Sequence, residues 1–159
     1  MMYRIGLGYD IHPLVPDRPL ILGGVEIPFE RGLKGHSDAD AVLHALCDAL
    51  LGALNLGDLG KHFPDTDPRY RGISSRVLLK ECYRLVQEQR YGIANLDCVV
   101  MAERPKLRTY IDPMRQNIAE DLNIGLNQVS IKASTANGLG SIGAGEGIAV
   151  QAIILLIKR

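Results

Sequence analysis

Apolar and polar positions alternate along Tyr3-Arg-Ile-Gly-Leu-Gly-Tyr-Asp-Ile-His12, the period of a half-buried strand, and Pro13 restricts its continuation. Leu20-Ile-Leu22 and Val25-Glu-Ile27 flank Gly23-Gly24, a two-residue hairpin signal. The period then changes. Over residues 37 to about 54, Leu43, Leu46, Leu50 and Leu54 recur at three- or four-residue steps, which predicts an amphipathic helix with Ser37 and Asp40 as its capping box. A second helix is predicted over 75–89, with Val77, Leu78, Cys82, Leu85 and Val86 as its buried stripe, and a third over about 109–122. Residues 94–102, 129–134 and 148–157 read as strands rich in β-branched and apolar residues. Between the first two helices, residues 57–72 have no sustained period and include Phe63-Pro-Asp-Thr-Asp-Pro68. Long loops of this kind often carry function. The order β, hairpin, α, α, β, α, β, β, without repeat or linker, points to an α+β fold: one mixed β-sheet with helices on one face.

A chain of 159 residues with 47% apolar content suits a single domain spanning 1–159. Lysine plus arginine equals aspartate plus glutamate at 18 each, so no global field exists to attract a polyanionic polymer. Nucleic acid is therefore not an expected partner, whereas a small phosphorylated ligand, held by local groups, is compatible. Cys47, Cys82 and Cys98 are odd in number and lack the short paired spacings of a zinc ribbon or redox dithiol, so they are expected to be buried and reduced, as in a cytosol. No charged-then-apolar leader precedes Tyr3, and the apolar run 148–157 is too short to span a bilayer. The expected location is the cytoplasm, or the plastid stroma if a transit peptide has been removed, with no membrane partner.

Asp10 and His12 stand two apart on a strand, so both side chains leave the same face and can converge on one ion. His44 on the first helix would complete an Asp-His-His set that leaves a position open for substrate, although His36 and His62 compete for that role and spacing alone does not choose among them. Asp48, one helical turn beyond His44, could orient an imidazole as a supporting carboxylate. Other polar residues have plain structural readings: Asp58 and Asp65 as turn formers, Ser37 as a helix cap, Lys106 as a solvated charge. Gly138-Leu-Gly140-Ser-Ile-Gly143 matches the dinucleotide fingerprint G-x-G-x-x-G literally, but a β-branched strand is expected next where the fingerprint requires a helix, so these glycines read as loop backbone.

Gly8-Tyr-Asp-Ile-His12, His36-Ser-Asp-Ala-Asp-Ala-Val-Leu-His44, Asp58-Leu-Gly60, Phe63-Pro-Asp-Thr-Asp-Pro68, Arg104-Pro-Lys106 and Gly145-Glu-Gly-Ile148, taken in order, resemble the 2-C-methyl-D-erythritol 2,4-cyclodiphosphate synthase family along nearly the whole chain. The resemblance implies an α+β homotrimer with active sites between subunits, acting in the non-mevalonate route to isoprenoids. It implies Zn²⁺ or another divalent metal at Asp10, His12 and His44. His36 and Ser37, with Phe63 and Asp65 in the long loop, match residues that hold the methylerythritol phosphate end, and Asp58 and Gly60 match ribose contacts. The run 102–108, including Ala102, Pro105, Lys106 and Leu107, matches the cytosine pocket; Ala133, Ser134 and Thr135 match the diphosphate contacts. His36 and Thr135 are the implied catalytic residues. The family's usual Thr-Thr-Glu-Lys-Leu-Gly-Phe is Thr135-Ala-Asn-Gly-Leu-Gly-Ser141 in this chain. Asn137 thus replaces a glutamate that binds a bridging Mg²⁺, and an amide oxygen is a weaker ligand for a hard cation. Ser141 and Ala144 replace an aromatic residue and an arginine near the trimer axis, which weakens any axial pocket.

The implied reaction is internal phosphoryl transfer that closes a cyclic diphosphate from a cytidine diphosphate substrate and expels CMP. Two rivals keep the same residues: a zinc phosphate-ester hydrolase, which would give linear products, and a non-catalytic nucleotide-binding trimer, which would bind CDP without turnover.

Overall fold

The computed structural model describes residues 2–159. Strand β1 (Tyr3–Pro16) leads into the hairpin β2 (Leu20–Leu22) and β3 (Val25–Ile27), then β4 (Arg31–Leu33) and helix α1 (Ala41–Ala53). Next come α2 (Leu59–His62), α3 (Ser75–Glu88), β5 (Tyr91–Met101), α4 (Ile111–Leu122), β6 (Val129–Ser134), α5 (Gly140–Gly143) and β7 (Gly147–Lys158). The main sheet has the order β4-β1-β7-β5-β6, and only β5 and β6 run parallel; β2 and β3 form a separate two-stranded sheet. This is the mixed sheet of an α+β protein, with α1, α3 and α4 packed against its strands.

The alternation of β1 divides its two faces. Gly6, Gly8, Asp10 and His12 turn toward the helices, while Ile5, Leu7, Tyr9 and Ile11 stand exposed on the opposite face. Glycine at 6 and 8 has a steric cause: a Cβ at either would lie 1.8 Å from a carbonyl oxygen of α1, that of Ala49 or Ala45. The strand and the helix backbone therefore approach more closely than any side chain permits, which draws the start of α1 toward the end of β1. Leu43, Leu46, Leu50 and Leu51 are fully buried on α1, and each contributes on the order of 1.5–3 kcal/mol by leaving water.

Several expectations change. Pro13 does not end β1: it lies opposite Gly147 where the strand exchanges β7 for β4 as partner, so little ladder pairing is lost. Helix α1 starts at Ala41, and its cap is Asp40, not Ser37. Asp40 Oδ1 accepts from Leu43 N at 3.1 Å and Gly23 N at 2.9 Å, and Oδ2 accepts from Gly24 N at 2.7 Å, so one buried carboxylate ties the β2–β3 turn to the helix start. The long loop contains α2 and a 3₁₀ turn at Pro68–Tyr70. A single helical turn, α5, follows Leu139 before β7 takes over, so the glycine-rich stretch still lacks the long helix of a dinucleotide site. The three cysteines are buried with free thiols.

Candidate active site

The inward face of β1 ends beside the first turn of α1, where one carboxylate and two imidazoles meet. Asp10 Oδ2 lies 2.8 Å from His12 Nε2 and 3.2 Å from His44 Nδ1, and the two nitrogens are 3.4 Å apart. Buried Asp10 Oδ2 has no partner with hydrogen-bond geometry. One atom from each of the three residues lies within 4.8 Å of the other two. A buried carboxylate oxygen left in this way, flanked by two inward ring nitrogens, fits one divalent cation with a position to spare. The far sides of both rings are occupied: His12 Nδ1 meets the Lys34 carbonyl oxygen at 2.7 Å, and His44 Nε2 meets Ser75 Oγ at 2.9 Å and Ser37 Oγ at 3.0 Å. Burial alone would raise the Asp10 carboxyl, but the two adjoining imidazoles outweigh it and hold it below the usual range. Burial likewise depresses His12, and the facing Asp10 overcomes that and raises it.

The competing histidines are otherwise engaged. His62 donates from Nε2 to the Leu56 carbonyl at 2.9 Å, a contact within its own loop. His36 donates from Nε2 to the Asp67 carbonyl at 3.0 Å and lies on the wall of the metal cleft. Asp48 does not orient an imidazole: its Oδ1 accepts from Leu59 N at 2.7 Å, fixing the start of α2 against α1. Burial pushes the Asp48 carboxyl up, and the charges of Asp10 and Asp58 add to this.

The remaining sequence candidates fall into two separate cavities. One, of about 540 Å³, holds the Asp-His-His group together with His36, Ser37, Asp58, Gly60, Phe63 and Asp65. Arg18 braces its rim by donating to the Gly35 and Ser37 carbonyls at 3.1 and 3.0 Å. Asp58 caps α2 through Lys61 N at 2.9 Å, so its turn role and its place in the cavity coexist. The second cavity, of about 550 Å³, is lined by Ala102, Pro105, Lys106 and Leu107 from the end of β5 and by Ala133, Ser134 and Thr135 from the end of β6. No residue lines both cavities.

Some members of these cavities carry no local sequence signal. Tyr70, Leu78 and Leu59 line the first, and Ser75 reaches His44 from a helix thirty-one residues away. In the second, the Glu103 carboxylate accepts from Ala136 N at 3.0 Å and so braces the Thr135–Asn137 turn. Asn137 takes φ of +52°, a left-handed conformation that asparagine tolerates better than most residues, and its backbone N–H points to Thr135 Oγ1 at 3.3 Å.

Fold and site together define an α+β protein with an Asp-His-His group suited to one divalent ion at the edge of a polar cleft. The YgbB family model matches residues 3–157, and the chain belongs to that family. It is 59% identical over 157 residues to a 2-C-methyl-D-erythritol 2,4-cyclodiphosphate synthase of Desulfitobacterium hafniense, covering 99% of both chains. Among solved structures, the bifunctional IspDF of Campylobacter jejuni is 41% identical with a TM-score of 0.95; the match covers 99% of this chain and 42% of that one. A CDP complex from Plasmodium falciparum is 36% identical with a TM-score of 0.88, covering 99% of this chain and 97% of the other.

Proposed function

We propose that this chain, as one domain over 1–159, converts 4-diphosphocytidyl-2-C-methyl-D-erythritol 2-phosphate into 2-C-methyl-D-erythritol 2,4-cyclodiphosphate and CMP. The observation that carries this reading is the convergence of Asp10, His12 and His44 in one cleft with His36, Ser37, Asp58, Gly60, Phe63 and Asp65. A 2-phosphate oxygen bonds to the β-phosphorus of the cytidine diphosphate as the bond from that phosphorus to the bridging oxygen breaks, and CMP leaves with the bridging oxygen. A divalent ion, Zn²⁺ in our reading, would be held by Asp10, His12 and His44 and would supply Lewis acidity toward the substrate's phosphates. One carboxylate and two neutral imidazoles leave such a site with one net positive charge, which favours a phosphate in the open position. The nucleophile is already an anion, so the protein's work is positioning and charge neutralisation. Ser37 and His36 face the phosphate end from the cleft wall, and the Thr135 hydroxyl polarises the diphosphate. Holding both phosphates of one substrate in line makes the attack unimolecular, worth up to roughly 7–11 kcal/mol.

The division into two cavities bears on assembly. The residues we read as metal and sugar contacts line one cavity, those we read as cytosine and diphosphate contacts line the other, and on this reading a single substrate has to touch both. We read this as a homotrimer in which one subunit's metal cleft faces its neighbour's nucleotide pocket. The outer sheet face supports it: Ile5 and Leu7, 66% and 68% exposed, stand with Tyr9, Ile11 and Ile153 as an uncovered apolar surface. Mg²⁺ is expected at the diphosphate, held less firmly because Asn137 brings no charge. We read the enzyme as cytoplasmic; no helix among the described residues is long and apolar enough to cross a membrane.

The test is turnover of the cytidyl diphosphate substrate with Zn²⁺ and Mg²⁺, followed by phosphorus NMR. Cyclic diphosphate plus CMP is the expected outcome. Linear products would instead make the chain a hydrolase, and CDP binding without turnover would make it a nucleotide-binding scaffold.

A further inference from the structure

We infer that Ser75 and Asp38 are positioning residues that select the metal-binding tautomer of His44. The inference rests on the metal reading given above. His44 is 8% exposed, and Ser75 at the start of α3 is fully buried. Two hydroxyls lie within reach of His44 Nε2, that of Ser75 at 2.9 Å and that of Ser37 at 3.0 Å. They are not equivalent. A serine hydroxyl has one hydrogen to give, and Ser75 gives it to Asp38 Oδ1 at 2.5 Å, because a carboxylate can only accept. Ser75 Oγ can therefore only accept from His44, so Nε2 must carry the ring hydrogen. Nδ1 is then left with its lone pair toward Asp10 and His12.

Ser37 imposes no such polarity. Its oxygen accepts from Ala39 N at 3.1 Å, but its own hydrogen is uncommitted and can swing to donate to Nε2. That orientation would put the hydrogen on Nδ1 and remove the ligand. Ser37 also lines the cleft where the phosphate end is expected, so substrate competes for its hydroxyl. Ser75 is withdrawn from the substrate, and Asp38 is held rigidly from three directions. Its Oδ2 accepts from Ser75 N at 2.9 Å and its Oδ1 from Asp40 N at 3.1 Å in addition to the Ser75 hydroxyl. The chain Asp38, Ser75, His44 thus runs from the loop before α1, through the start of α3, to the metal centre. Partners of this kind commonly govern affinity by roughly ten- to a hundredfold when removed.

The test is zinc affinity of the metal-free protein, read by competition with a chromophoric chelator for wild type, Ser75→Ala, Asp38→Asn and the double variant. Each single variant is expected to weaken zinc binding roughly ten- to a hundredfold. The double variant should lose no more than the worse single one, because both act through one N–H. Asp38→Asn also offers Ser75 an amide hydrogen, which frees the hydroxyl to donate the wrong way. In zinc-loaded wild type, a slowly exchanging imidazole hydrogen on His44 Nε2 should be visible in ¹H–¹⁵N spectra and should exchange fast in Ser75→Ala. Melting temperatures accompany each measurement. If Ser75 and Asp38 only join α3 to the α1 loop, stability will fall while folded Ser75→Ala binds zinc like wild type; that result overturns the inference. Failure of wild type to bind zinc would overturn the metal reading itself.

Discussion

Replacing Gly8 with alanine tests whether the spacing between β1 and α1 builds the metal group. The added carbon would sit 1.8 Å from the Ala45 carbonyl oxygen and 2.7 Å from the Ala45 carbonyl carbon. Ordinary contact begins near 3.4 Å, so about 1.6 Å of separation has to be found. The obstacle is helix backbone, which cannot swing aside as the end of a long side chain can. Asp10 and His12 travel with β1, whereas His44, the neighbour of Ala45, travels with α1. Metal–ligand distances tolerate only about ±0.2 Å. Even a third of the required displacement pulls His44 Nδ1 out of range of an ion held by the other two. The expected result is a zinc affinity lower by more than about a hundredfold, beyond what loss of a supporting partner causes. Overpacking should also cost about 1–3 kcal/mol, at roughly 2–4 °C of melting temperature per kcal/mol for a chain of this size. Gly6→Ala is the control. Its carbon meets the Ala49 carbonyl oxygen at the same 1.8 Å, but one helical turn further from His44. Chelator competition and thermal melts on both variants decide the matter: similar melting losses with a much larger zinc loss in Gly8→Ala are expected. Wild-type zinc affinity in folded Gly8→Ala, or equal zinc losses in the two, would refute the reasoning.

Asp10→Ala and His44→Ala should each remove bound zinc and nearly all turnover with the fold retained; full zinc occupancy by metal analysis of either variant would contradict the ligand set. Light scattering should give three copies of the 17.4 kDa chain, and a monomer that remains active at the same dilution would contradict the shared site. Asn137→Glu should lower the half-saturating Mg²⁺ concentration; identical activity curves would show that position 137 does not touch the ion. Burial pushes the Asp40 carboxyl up to about 6 even though backbone N–H groups at Gly24, Leu43 and Gly23 oppose it. A raised folded value favours the protonated folded state, so this contribution is complete below pH about 4 and lost as pH rises through about 6, on the order of 3 kcal/mol at most. Denaturation midpoints of wild type should accordingly decline across that window relative to Asp40→Asn, and parallel profiles would remove Asp40 as the cause.

Elements whose signals are local were legible. The β2–β3 hairpin follows from Gly23-Gly24, both at positive φ, and β6 occupies Val129–Ser134 as its composition suggests. Elements that depend on partners were not. Strand β4 has three residues and no period, and exists because β1 offers it an edge beyond Pro13. Strand β5 begins at Tyr91, three residues before its expected start, and the register shift between Ile93 and Asn95 interrupts the alternation that would have announced it. Ser37 mimicked a cap because Asp40 stands three positions on, whereas the buried aspartate is itself the cap and the serine turns to His44.

The site divides in the same way, and for a related reason. Asp10 and His12 could be paired from spacing because a strand alternates, but the choice of His44 over His36 and His62 depends on how α1 lies against β1. That placement is written in Gly6 and Gly8, residues with no chemistry of their own, whose missing side chains let Ala45 and Ala49 approach. The supporting hydroxyl comes from Ser75, thirty-seven positions beyond the Asp38 that orients it, and no periodic signal connects them. A similar distance effect governs the acid beside Asn137. Glu146 is near in sequence, yet its backbone N–H goes to the Ser141 carbonyl at 2.9 Å and it lines a different cavity, with Ile11 and His12. The carboxylate against the Thr135–Asn137 turn is Glu103, brought there by the parallel pairing of β5 with β6. Glu103 lines the same cavity as Thr135, and we take it as the acid that offsets the missing charge at 137. Glu103→Gln should then raise the Mg²⁺ requirement further in the wild-type background than in Asn137→Glu.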